Sequence, residues 1–122
     1  MKSLLLDFVN VTENAALAAF PWVGKGDKNE ADGASTQAMR EQLNKMEMNG
    51  RIVIGEGELD EAPMLYIGEK VGMGIGPTID IAVDPLDGTS LISNGQGNSI
   101  AVIAGAPSGC LLHAPEIGRA HV

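Results

Sequence analysis

The stretch at residues 80–90, Asp-Ile-Ala-Val-Asp-Pro-Leu-Asp-Gly-Thr-Ser, constrains what this chain can fold into more than any other. Its apolar start predicts a buried strand at residues 79–83, and the residues after it predict a turn into a helix. Asp84 and Asp87 are three residues apart, and two such carboxylates can share one hard cation. Backbone N–H groups at a helix start suit a phosphate. The stretch therefore predicts a metal cluster beside an anion site, as in phosphoryl transfer or phosphate-ester hydrolysis.

A second acidic stretch at residues 55–61 is expected to complete this site. It follows a short apolar strand predicted at residues 51–54, which places Glu56 at a strand end. We assign Asp84 as the ligand that bridges two metal ions, Glu56 as a ligand of one ion and Asp87 as a ligand of the other. The candidate ligands are carboxylates, and the chain has only two histidines and one cysteine. This combination favours Mg²⁺ or Mn²⁺.

Thr89 and Asp60 are the predicted catalytic residues. Thr89 would present its hydroxyl to the attacking water, and Asp60 would act as the base or orient that water. The N–H groups of Asp87, Gly88 and Thr89 would hold the phosphate. From spacing alone Asp60 could instead cap a helix.

The first third of the chain predicts two helices. An amphipathic helix is expected from Lys2 to about Ala19, ended by Pro21. A second is expected at residues 35–48, with Gly50 as its C-terminal glycine. Asp32 precedes the second helix and could cap it or reach a metal ion, and the residue by itself favours the cap.

The last third predicts a helical turn at residues 90–93 and two strands. The first strand is expected at residues 99–104 and the second, after a turn at residues 106–109, at residues 109–113.

Composition excludes several classes of protein. The 122 residues suffice for one small domain. A formal charge of −8, with only two Phe, one Tyr and one Trp, argues against a nucleic-acid surface. The single cysteine, Cys110, excludes an internal disulfide and fits a reducing compartment. No stretch approaches membrane-spanning length, so a cytoplasmic protein without a membrane partner is expected.

The last six residues, 117–122, are expected to be artificial. Ile-Gly-Arg-Ala-His-Val is the translation of ATC-GGA-AGA-GCA-CAC-GTC, a common sequencing-adapter stretch. Residues 1–116 are then the N-terminal part of a catalytic domain, and the tail has no function. The alternative is a genuine polar C-terminus, and coding sequence that continues past Glu116 in the source DNA would decide against it.

The hexapeptide Asp84–Thr89, DPLDGT, resembles the signature of the lithium-sensitive, magnesium-dependent sugar phosphatase superfamily, which includes inositol monophosphatases and fructose-1,6-bisphosphatases. Longer stretches resemble class II fructose-1,6-bisphosphatase, the bacterial type: residues 26–29, 31–33, 52–58 and 60–69. The likeness runs from about Leu5 to Pro115.

This resemblance implies an α/β fold, the N-terminal half of an αβαβα sandwich in which helices flank a mixed sheet. It implies Mg²⁺ or Mn²⁺ as cofactor. It also favours Asp32 as a metal ligand over Asp32 as a helix cap. The implied metal ligands are Asp32, Glu56, Asp84 and Asp87. The implied catalytic residues are Asp60 and Thr89, and the implied substrate contacts are Asp87, Gly88 and Thr89.

The activity that the resemblance implies is removal of the 1-phosphate of fructose 1,6-bisphosphate in gluconeogenesis or the Calvin cycle, and some cyanobacterial members also cleave sedoheptulose 1,7-bisphosphate. The implied partner is a sugar bisphosphate, and the parent protein is expected to be a homo-oligomer. Members usually carry Glu where this chain has Asp87, which has a shorter reach.

Members of this family are also more than twice this long, so a truncated chain is expected. Two alternatives stay open: another inositol-monophosphatase-like phosphatase, and a non-catalytic metal-binding fragment.

Overall fold

Helices and one mixed sheet make up the part of the chain that the computed structural model describes, residues 2–56 and 64–112. The elements, in chain order, are α1 (Lys2–Ala19), a 3-10 turn (Phe20–Trp22), α2 (Lys28–Asn44), β1 (Asn49–Ile54), β2 (Lys70–Val71), β3 (Thr78–Asp87), α3 (Thr89–Ser93) and β4 (Ile100–Pro107). The sheet order is β2-β1-β3-β4, with β1 and β3 parallel and the other two pairs antiparallel. The predicted α/β class is confirmed.

The main core lies between α1, α2 and one face of the sheet. Side chains alternate between the two faces of a strand, so Ile79, Ile81 and Val83 of β3 point to the same side. They share one buried apolar cluster with Phe8 of α1 and Met39 of α2. This packing fixes α2 against the sheet and so fixes the helix residues that face the site.

The first helix is as predicted. It spans Lys2–Ala19, and Pro21 follows it within the 3-10 turn. Within residues 2–56 and 64–112, no helix combines the length and the apolar character that crossing a membrane requires.

The second helix was predicted wrongly at both ends. It begins at Lys28, where Asp27 is the cap and its side chain accepts a hydrogen bond from the Glu30 N–H at 3.1 Å. Asp32 therefore lies inside α2, and the capping interpretation is wrong. The helix ends at Asn44, and Gly50 belongs to β1. Gly33 does not prevent the early start because tertiary packing overrides helix propensity.

The third strand is longer than predicted. It continues past Val83 to Asp87, and its register with β4 shifts between Asp84 and Asp87. Pro85 has no N–H to donate, and such a residue is tolerated where the ladder is interrupted. The two carboxylates of the motif therefore lie on either side of an irregularity within one strand.

The last predicted strand, at residues 109–113, is not found in residues 109–112, which are the part of it that the structure describes. β4 takes up residues 106–107, residues 108–109 form a turn, and residues 110–112 are not in a strand. The buried Asp80 carboxylate accepts a hydrogen bond from the Gly109 N–H at 2.9 Å, which holds the chain in this turn. Residue 113 and the suspected tail lie outside the described residues.

Candidate metal centre

The carboxyl ends of the two parallel strands meet at one edge of the sheet. Ile54 of β1 is paired with Ala82 of β3. Glu56 and Asp84 each lie two residues further along, so the pairing brings both acids to the same edge. Binding sites in sheets of this kind form outside the carboxyl ends of parallel strands.

An open cleft of about 380 Å³ lies at this edge. It is lined by Asp32, Glu56, Asp84, Leu86, Asp87, Gly88, Thr89 and Ser90. The cleft thus brings together all four predicted metal ligands and the predicted substrate contacts. Asp60, the predicted base, lies outside the described residues and stays a prediction.

The four carboxylates share a cleft without forming a coordination sphere. Among the described residues, no three His, Cys, Asp or Glu side chains converge closely enough to hold a metal ion together. Their chemistry nevertheless fits Mg²⁺ or Mn²⁺, which prefer carboxylate oxygens.

Glu56 is held by its backbone and by its side chain. Its N–H donates to the Leu65 carbonyl at 2.9 Å. Its Oε1 accepts a hydrogen bond at 3.0 Å from the hydroxyl of Thr36, a fully buried residue of α2. A side chain at Gly55 would collide with the Leu65 carbonyl oxygen, so the close approach of these two segments requires glycine.

Burial raises the pKa of Glu56 from 4.5 to about 7, and the neighbouring charge of Asp32 adds to the rise. The hydrogen bond from Thr36 acts in the opposite direction. The two acids therefore repel each other in a partly desolvated place, where a divalent cation would compensate both charges.

The turn at Gly88 places the start of α3 beside these acids. Gly88 has a φ of +84°, and α3 begins at the next residue, Thr89. The hydroxyl of Ser99 donates to the Asp87 carbonyl at 2.7 Å, and the N–H groups of Gly24 and Gly26 donate to carbonyls at the other end of α3. The turn is thus supported by two separate loops.

Comparison with known proteins identifies the family. The family model described as bacterial fructose-1,6-bisphosphatase, glpX-encoded, matches residues 2–120. The chain belongs to this family. The resemblance to class II fructose-1,6-bisphosphatase that the motifs indicated is confirmed.

Three relatives show how far the similarity extends. The chain is 57% identical over 116 residues to fructose-1,6-bisphosphatase 1 class 2 of Escherichia coli K12, covering 95% of this chain and 34% of that protein. It is 54% identical over 116 residues to fructose-1,6-bisphosphatase class 2 of Haemophilus influenzae, covering 95% of this chain and 35% of that protein. It is 53% identical over 115 residues to D-fructose 1,6-bisphosphatase class 2/sedoheptulose 1,7-bisphosphatase of Synechococcus sp. RCC307, covering 94% of this chain and 34% of that protein. The chain spans about a third of the length of these relatives.

Two residues that support the site were not predicted from the sequence of this member of the fructose-1,6-bisphosphatase family. Thr36 lies four residues after Asp32 on α2, and this i, i+4 spacing could have shown that the two share a helix face. Ser99 offers no such signal, because its contact with Asp87 spans twelve residues across a loop.

Glu56→Gln is expected to stabilise the metal-free protein at pH 8. The folded-state pKa of Glu56 lies above its ordinary value, so its contribution to stability is full below about pH 4.5 and is lost as pH rises through about 7. Removing the charge should therefore raise the free energy of unfolding at pH 8 by about 2 kcal/mol, a gain that shrinks toward pH 5.5. Urea unfolding with a chelator present measures this.

Glu13→Gln is the matched control, because it makes the same change at an exposed position of α1. It should leave the free energy of unfolding nearly unchanged at both pH values. A Glu56→Gln variant that is no more stable than the parent at pH 8 would show that Glu56 carries no electrostatic strain.

Proposed function

We propose that the intact protein carrying this chain is a metal-dependent phosphate monoester hydrolase that removes the 1-phosphate of fructose 1,6-bisphosphate. The observation that carries this proposal is the cleft that Asp32, Glu56, Asp84 and Asp87 line together with the first residues of α3. Family membership supports a sugar bisphosphate as the substrate.

Asp32, Glu56, Asp84 and Asp87 would hold Mg²⁺ or Mn²⁺, with Asp84 between two ions. The raised pKa of Glu56 beside Asp32 supports this, because a divalent cation would stabilise the charged forms of both acids. When bound, such ions screen the phosphate oxygens, lower the pKa of a bound water and stabilise the leaving alkoxide.

The remaining groups bind the phosphate and handle the proton. The backbone N–H groups of Asp87, Gly88 and Thr89 hold the phosphate oxygens. The Thr89 hydroxyl orients the attacking water, and Asp60 accepts its proton. The water oxygen bonds to phosphorus while the bond to the sugar oxygen breaks, and the sugar oxygen takes a proton from solvent and leaves as the alcohol.

Sedoheptulose 1,7-bisphosphate is a second candidate substrate. The favouring observation is the similarity to relatives from Synechococcus and Prochlorococcus whose names include sedoheptulose 1,7-bisphosphatase. We further propose a role in cytoplasmic carbohydrate metabolism, of the gluconeogenic or Calvin-cycle type, and a homo-oligomeric intact protein.

A substrate panel tests the proposal. Phosphate release by the intact protein is measured with fructose 1,6-bisphosphate, sedoheptulose 1,7-bisphosphate and inositol 1-phosphate, each with Mg²⁺, Mn²⁺ or chelator. Metal-dependent release from a sugar bisphosphate is expected. Release from inositol phosphate alone would replace the proposal with the inositol-phosphatase alternative.

The 122-residue chain is assayed beside the intact protein. Calorimetry with Mn²⁺ that shows binding without turnover supports a non-catalytic metal-binding fragment. Robust turnover by this chain contradicts that alternative.

Thr89→Ala is expected to lower kcat by about 10²–10⁴-fold, the range that positioned proton-handling groups contribute. Its affinity for Mn²⁺ should stay close to that of the parent, because the hydroxyl is assigned to the water. Thr89→Ser retains a hydroxyl and should keep much of the rate. A Thr89→Ala variant that loses metal affinity while keeping kcat would make Thr89 a structural residue.

A further inference from the structure

A buried threonine of α2 makes a hydrogen bond that the reaction proposed above does not use. Thr36 is fully buried, and its Oγ1 lies 3.0 Å from Glu56 Oε1. A threonine in a helix interior commonly donates to a carbonyl of the preceding turn of its own helix. A hydroxyl has one hydrogen to donate, and Thr36 directs it across to the segment after β1.

The same helix supports the neighbourhood of Glu56 at three successive turns. Asp32 lies one turn before Thr36, and its charge acts on Glu56. Arg40 lies one turn after Thr36, and its guanidinium donates to the Met64 carbonyl at 2.6 Å and to the Glu69 carboxylate at 2.8 and 3.1 Å. One face of α2 therefore contacts Glu56 on one side of residues 57–63 and Met64 on the other.

We propose that Thr36 is a positioning residue for Glu56. By holding Oε1 against α2, its hydroxyl fixes the orientation of the carboxylate that would bind a divalent cation. This inference rests on the proposed metal site. An unrestrained Glu side chain loses rotamer freedom when it binds an ion, and a hydrogen bond that already restrains it reduces that loss. Removing such a partner of a metal ligand typically weakens metal binding 10–100-fold.

The neighbouring residue Ser35 provides a matched control. It is equally buried in α2 and its hydroxyl also makes a 3.0 Å hydrogen bond, but the acceptor is the Ala15 carbonyl. Ser35→Ala removes a buried hydroxyl of the same helix without touching Glu56. A merely structural hydroxyl at position 36 would behave as the one at position 35 does.

The test compares Thr36→Val, Thr36→Ser and Ser35→Ala in the intact protein. Mn²⁺ affinity is measured by calorimetry and by the electron paramagnetic resonance signal of free Mn²⁺, with Tm recorded for each variant. Thr36→Val should bind Mn²⁺ 10–100-fold more weakly, Thr36→Ser within about threefold of the parent, and Ser35→Ala like the parent despite a lower Tm. At saturating Mn²⁺, Thr36→Val should recover most of its kcat.

Equal Mn²⁺ affinity in Thr36→Val and the parent would overturn the inference. If Thr36→Val does not fold, Thr36→Ala removes the same hydroxyl and is judged by the same fold-change. Failure of the unaltered protein to bind Mn²⁺ would overturn the metal site and the inference together. Binding of Mn²⁺ without hydrolysis of sugar bisphosphates would overturn only the proposed activity, since affinity still measures the role of Thr36.

Discussion

Asp84→Asn in the intact protein is expected to lower phosphate release by a factor of about a thousand or more. Asp84 is half-buried at the sheet edge and lines the cleft with the other three acids. An amide cannot supply the negative charge that a bridging ligand contributes. Metal ions contribute several kcal/mol of transition-state stabilisation, and each ~1.4 kcal/mol is a factor of ten in rate. The measurement is kcat and KM over a Mn²⁺ series.

Asp7→Asn is the control for this substitution. It makes the same chemical change at an exposed position of α1, on an element that does not line the cleft. Its kcat and its Mn²⁺ dependence should match those of the parent. Near-parental activity of Asp84→Asn at saturating Mn²⁺ would contradict the assignment of Asp84 as a bridging ligand.

Gly55→Ala is expected to destabilise the protein by about 2–4 kcal/mol and to weaken Mn²⁺ binding. The added Cβ would collide with the backbone oxygen of Leu65 and would lie 2.9 Å from a methyl group of Ile52. Overpacking of this kind typically costs 1–3 kcal/mol, and the hydrogen bond from the Glu56 N–H to Leu65 would be lost as well. Urea unfolding and Mn²⁺ calorimetry measure the two effects.

Gly97→Ala separates this close approach from a general effect of losing a glycine. A Cβ at Gly97 meets nothing within 4 Å. This variant should therefore be as stable as the parent or slightly more so, since Ala restricts the unfolded chain. If Gly55→Ala were equally harmless, the contact between residues 55 and 65 would not determine the position of Glu56.

The elements that the sequence predicted well are those with strong local patterns. The extent of α1 followed from its apolar periodicity and from Pro21 at its end. The strand leading to Asp84 followed from its apolar run. Local patterns were weaker around α2, where Asp32 was considered as the cap and the folded helix shows that the cap is Asp27.

Errors arose where contacts with other elements override a local signal. The strand was predicted to end at Val83, but β3 continues to Asp87 because β4 pairs with it on both sides of the register shift. Gly50 indicated the end of a helix, but it lies in β1, where a Cβ would come within 3.1 Å of Ile81 and Val71.

The sequence alone determined the family, through the DPLDGT motif and the stretch around residue 56, and from the acids in both it predicted the ligand types and the ion that they suit. The tertiary structure decided which side chains hold those acids in place. The bond from Thr36 to Glu56 joins residues twenty apart, and the close contact of Gly55 with Leu65 joins residues ten apart. Such contacts depend on how α2 packs against the sheet, and no local periodicity encodes that distance.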